Sequence, residues 1–86
     1  MPRARAHPLR YSELRRRLEA FGATELLHRG KGSERIFIRR DPLRGQERTY
    51  PIKCHGQHTE LGIGTIAACL RRLGFNKDEV DQFWSE

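Results

Sequence analysis

A chain of 86 residues holds one small core and no more, which excludes multidomain architectures. Apolar residues make up 36% and charged residues 33%, and no apolar run approaches the ~20 residues that span a bilayer, so a helical membrane span is excluded. The formal net charge of +6 is unevenly placed: residues 29 to 53 hold eight Lys/Arg against three Asp/Glu, whereas residues 76 to 86 hold one Lys against four acids. A positive middle of this kind favours a polyanionic partner such as nucleic acid, with a merely solvated basic surface as the alternative.

Residues 1 to 10 contain Arg and Pro but no acids or helical period, and read as a flexible basic arm before a single domain at 11–86. The two cysteines and the absence of an apolar leader point to a reduced, cytoplasmic setting.

Ser12 stands at an N-cap position, and Tyr11, Leu14, Leu18 and Phe21 follow at helical spacing before Gly22 stops the helix. Arg15, Arg16 and Arg17 take its other sides as a solvated face. Thr24 to Arg29 reads as a first strand. Arg35 to Arg40 alternates as a second, with Ile36 and Ile38 on one face and Arg35, Phe37 and Arg39 on the other. Asp41-Pro42-Leu43-Arg44-Gly45 ends it with turn residues. A third strand runs from about Arg48 to Cys54, and Pro51 demands an edge or a bulge. Residues 55 to 63 are polar and glycine-rich, a loop.

Thr65 is placed to cap a second helix with Ile66, Cys69, Leu70 and Leu73 on one stripe, closed by Gly74-Phe75 in the manner of a glycine C-cap. Asn76 with Glu79 makes a capping-box start for a short third helix, whose Val80, Phe83 and Trp84 fold back on the domain. Helix, three strands, helix and a short extra helix make an α+β domain of α-β-β-β-α order, with a three-stranded antiparallel sheet packed by the helices.

The candidate functional stretch is His28-Arg29-Gly30-Lys31-Gly32-Ser33-Glu34-Arg35-Ile36-Phe37. Glycines let another molecule approach the main chain closely, and Arg29, Lys31 and Arg35 make the same turn positive, which suits phosphate. Lys53 adds to this positive middle. Cys54-His55-Gly56-Gln57-His58 has metal-ligand types without the paired spacing of zinc modules, so no metal and no cofactor is expected. Cys69, Phe37 and Tyr50 read as core rather than as reactive or base-stacking groups.

Gly32-Ser33, the strand with Phe37, the strand with Pro51, His55-Gly56, and Leu61 leading to Gly64-Thr65 and a helix ending Leu73-Gly74 resemble the HicA toxins, over roughly residues 11 to 76. These are small mRNA interferases of toxin–antitoxin pairs. The resemblance implies a fold similar to double-stranded-RNA-binding domains, an RNA (mRNA) ligand, a HicB-like antitoxin partner, and a ribonuclease site. The family pattern is Gly-Ser-His-x-x-Phe, with the His taken as catalytic; here Glu34 holds that position. A carboxylate with an ordinary pKa near 4.3 accepts a proton weakly and donates none at neutral pH. Weak or lost cleavage is the expectation. The alternatives are a rewired, metal-independent ribonuclease with Glu34 as base, His55 or His28 as acid and Arg35 or Lys31 on the phosphate, and a non-catalytic RNA-binding or protein-interaction module.

Overall fold

A computed structural model of the chain describes residues 5–26, 34–41, 44–54 and 56–85. Along the chain lie β1 (Leu9–Arg10), α1 (Tyr11–Glu19), β2 (Thr24–Leu26), β3 (Glu34–Arg40), β4 (Glu47–Lys53), β5 (Glu60–Leu61), α2 (Ile63–Arg72) and α3 (Lys77–Trp84). The main sheet is antiparallel, in the order β2-β3-β4, so β4 is an edge and can carry Pro51 without losing a ladder donor to a further strand. The domain is thus α+β, a three-stranded antiparallel sheet with three helices.

Residues directly opposite one another on antiparallel strands share a face. Phe37 opposite Tyr50, Arg35 opposite Ile52 and Arg39 opposite Arg48 define one face; Ile36 opposite Pro51 and Ile38 opposite Thr49 define the other. Phe37, Ile52 and Arg39 are buried, and Phe37 and Ile52 join Leu14, Leu18, Ile66 and Leu70 in a single core. The helices therefore cover the Phe37 face. The other face, with half-buried Ile36 and Ile38, is left uncovered by them.

Helix α1 buries the expected stripe of Tyr11, Leu14 and Leu18. Its start differs from expectation: Ser12 is not the cap. The N-cap is Arg10 with no side-chain bond, and the free amides of Tyr11 and Ser12 donate instead to the carbonyls of Thr59 (2.8 Å) and Gln57 (3.1 Å). The loop that satisfies them is held by a two-stranded sheet in which Leu9 pairs with Leu61 and Arg10 with Glu60. The arm at 1–10 thus gives its last two residues to the fold, and the loop at 55–63 contains a short strand.

Arg17 is a second correction. It is buried rather than solvated: Nε donates to Glu13 at 3.1 Å, Nη1 donates to the Phe83 carbonyl at 2.8 Å, and the guanidinium lies over the Phe83 ring. The hydrogen bond from Arg17 holds the Glu13 carboxyl below its usual pKa, with Arg16 adding to the effect and partial burial opposing it.

Helix α2 begins at Ile63 after Gly62 as N-cap, so Thr65 lies inside the first turn and caps nothing. Its far end behaves as the sequence demands. Gly74 sits at φ +81°, its N–H reaching the Arg71 carbonyl and that of Phe75 reaching the Leu70 carbonyl at 3.0 Å, the paired bonds of a Schellman ending. The capping box of α3 is complete: Glu79 N–H donates to Asn76 Oδ1 at 2.8 Å, and Asn76 N–H to Glu79 Oε1 at 3.1 Å. Phe83 is buried against Phe21 and Phe75, and Trp84 against Phe83, as an aromatic cluster. Among the described residues no helix is long and apolar enough to cross a membrane.

Candidate functional site

Of the site residues named from sequence, Glu34, Arg35 and Lys53 are described; His28, Arg29, Lys31, Gly32, Ser33 and His55 lie outside the described residues. Glu34 opens β3 and Lys53 closes β4, and the register sets them directly opposite each other on the uncovered face. Side chains on one strand alternate between faces, so Arg35 goes to the helix side, opposite Ile52. The cation facing Glu34 is thus Lys53, and Arg35 answers to the other side of the sheet.

At the opposite end of the same ladder Arg40 faces Glu47. Two oppositely charged rungs therefore bracket an apolar middle of Ile36, Ile38 and Pro51, with Leu26 joining from β2. Opposite charges across a strand pair favour each other modestly, and these two rungs together carry no net charge. The carboxylate of such a rung presents acceptors only, and the ammonium donors only.

The basic surplus of residues 29 to 53 is partly consumed by the fold. Arg39 is 4% exposed; Nε donates to the Phe21 carbonyl at 3.0 Å, Nη1 to the Leu73 carbonyl at 3.3 Å, Nη2 pairs with Glu79, and the guanidinium lies 4.2 Å from the Phe75 ring centre. Arg48 Nε pairs with the buried carboxylate of Asp41 at 3.2 Å. Neither belongs to a free cationic surface. Arg40, Arg44 and Lys53 remain exposed.

Phe37 is fully buried, its ring 5.8 Å from that of Tyr11, whose hydroxyl bonds Glu25. It stacks on the core and not on a base. Cys54 is buried with its Sγ 2.9 Å from the Gly56 carbonyl, and His58 is exposed. Among the described residues no group of three or more His, Cys, Asp or Glu is arranged to hold a metal ion. Cys69 is buried, and burial pushes its thiol up to about 12.

Two concave sites have no counterpart in the sequence reading. An apolar groove of about 260 Å³ lies between α2 and α3, with Ile63, Ala67, Val80 and Trp84 on its walls. A polar pocket of about 230 Å³ gathers Asp41, Arg44, Arg48 and Arg71. Local sequence carries no signal for either, because each wall comes from a different element. Comparison of the chain with family models, with curated proteins and with solved structures returned no match.

Proposed function

We propose that the chain is a HicA-like RNA-binding protein, of the double-stranded-RNA-binding-domain type, whose cleavage of mRNA is weak or lost. The observation that carries this reading is the Glu34–Lys53 rung: the position where the family pattern has its histidine opens β3 on the uncovered face, directly after the glycine-bracketed basic stretch. A histidine there, with a pKa near 6.5, serves as base or acid at neutral pH; the glutamate supplies a weak base and repels the phosphate it would have to approach. Lys53, opposite, offsets that repulsion, which favours binding over cutting.

The test has two arms. Filter binding of RNA across a salt series is expected to lose affinity steeply as salt rises, and a flat response removes phosphate contact as the main attraction. Glu34→His is expected to raise RNA decay and growth inhibition; no rise in either means that the aligned position or the lost-histidine explanation is at fault. If the unaltered chain does cut, Glu34→Gln and His55→Ala are each expected to abolish it, and survival of cutting in both removes the rewired scheme.

A protein-interaction role is favoured by a separate observation, the half-buried Leu26, Ile36 and Ile38 on the uncovered face. That surface suits a HicB-like antitoxin partner, and co-expression with the product of a neighbouring small reading frame tests it.

A further inference from the structure

We infer that the pocket beside the turn after β3 binds a phosphate group. It lies at the far end of β3 from Glu34, ~20 Å along a seven-residue strand, and is separate from the site described above. Its walls come from Asp41 and Arg44 after β3, Arg48 in β4, Arg71 at the end of α2, and residues 74–76.

The charge balance of this pocket is what carries the inference. Asp41 is its single carboxylate, 6% exposed, and it is already engaged by the Arg44 backbone N–H at 3.2 Å and by Arg48 Nε at 3.2 Å. Among the described residues Arg48 engages a partner through Nε alone. Among the described residues the guanidinium groups of Arg44 and Arg71 have no ion-pair partner, although both line the same 230 Å³ space. With Arg48 paired to Asp41, Arg44 and Arg71 leave the pocket two positive charges in surplus, which an anion offsets. Planar forked donors match phosphate oxygens two at a time, so phosphate satisfies them better than a spherical ion does.

Gly74 adds a steric argument. A Cβ there would stand 3.0 Å from Arg48 Cδ and 3.1 Å from Asp41 Oδ2, so the absent side chain is what leaves the Arg48–Asp41 pair at the pocket wall. Asp41 N–H donates to the Gln46 carbonyl at 2.7 Å and its carbonyl accepts from Gly45 at 2.8 Å, which ties Asp41 to the backbone just after Arg44. An RNA backbone diester and a free phosphate ester present the same oxygens to these donors, and the experiment separates the two sources.

The site stands independently of the RNA reading and is tested first without RNA. Calorimetric titration with inorganic phosphate, at ionic strength held constant with chloride, is expected to show saturable binding to the unaltered chain. Arg44→Ala/Arg71→Ala is expected to weaken it by about tenfold or more. Both side chains are exposed, so the fold should survive, and a control of equal charge loss, Arg5→Ala/Arg10→Ala, is expected to bind as before. No saturable binding to the unaltered chain, or equal weakening in both double variants, overturns the site. A second arm assigns the source: with single-stranded RNA, an occupied pocket makes the salt slope of the Arg44→Ala/Arg71→Ala variant shallower by about 0.7 for each phosphate that the two arginines no longer neutralise. An unchanged slope beside abolished phosphate binding upholds the site and assigns it to a free ester.

Discussion

Replacing Arg39 by Ala tests how much of the chain's positive charge belongs to the fold. The guanidinium ties β3 to the ends of all three helices: it donates to the Phe21 carbonyl after α1, to the Leu73 carbonyl at the end of α2, and to Glu79 in the first turn of α3. Its loss leaves two helix-terminal carbonyls without this donor, at about 1–3 kcal/mol each where they stay dry. It also leaves Glu79, whose side chain is 18% exposed, without its counter-charge. Breaking a buried pair from one side costs about 3–5 kcal/mol, and that range is expected here, the lower part if water enters the vacated space. A domain of 86 residues has a total stability of about 4–13 kcal/mol, so the variant should lose between about a quarter and all of it. Urea unfolding followed by Trp84 fluorescence measures the loss. Glu79→Gln keeps an acceptor for the capping box and removes the charge, and the double variant should be less destabilised than the two single losses added, by about 1–3 kcal/mol. A loss below about 1 kcal/mol for Arg39→Ala, or simple additivity, refutes the structural assignment and returns Arg39 to the pool of cations available to a ligand.

Gly74→Ala should cost more than Gly22→Ala: both residues sit at positive φ, +81° and +85°, but only Gly74 has neighbours within 4 Å of an added Cβ, so chemical denaturation of the pair separates about 1–2 kcal/mol of backbone strain from the steric clash. Asn76→Ala should lower stability by about 1 kcal/mol by removing half of the capping box, whereas Asn76→Asp should keep most of it; thermal melts decide. Cys69 should resist thiol reagents at pH 8 until the chain unfolds, because its thiol is held neutral up to about 12. The folded thiol keeps its proton above pH 9 while the unfolded one loses it, so stability is intact below pH 9 and falls by up to ~1.4 kcal/mol per pH unit between there and about 12. Cys69→Ala should flatten that part of the pH profile of unfolding.

The elements legible in the sequence are those fixed by neighbours a few residues away. Gly74-Phe75 and Asn76 with Glu79 act within one helical turn, and both form as read. Ser12 and Thr65 follow the same rule and fail, because the amides at the start of α1 are met by carbonyls of Gln57 and Thr59, distant in the chain, and α2 starts early at Ile63. The orientation of β3 is ambiguous in the sequence for a related reason. Ile36 and Ile38 form the more apolar face in isolation, yet the buried face is the one with Arg35, Phe37 and Arg39. The distant Glu79, two helix-end carbonyls and the Phe75 ring make a buried Arg39 tolerable, and strand alternation cannot see them. Of the candidate site, the pairing of Glu34 with Lys53 needs the register, and the arginine pocket needs Arg71 of α2 to be brought beside Asp41, Arg44 and Arg48.

The register also says what a histidine at position 34 would experience. Lys53 faces that position across the strand pair, and a nearby ammonium disfavours the imidazolium, so the histidine of Glu34→His should titrate below its ordinary value near 6.5 and stand neutral at pH 7. Neutral imidazole is the form that takes a proton from a 2′-hydroxyl, and Lys53 lies opposite it for the phosphate. Glu34 supplies no imidazole at this position and sets a carboxylate opposite Lys53 instead. Cleavage restored by Glu34→His should therefore depend on Lys53, and Lys53→Met in that background should lower its rate and move the acid limb of its pH profile upward. A profile that does not move separates the two residues and removes the rung from the mechanism.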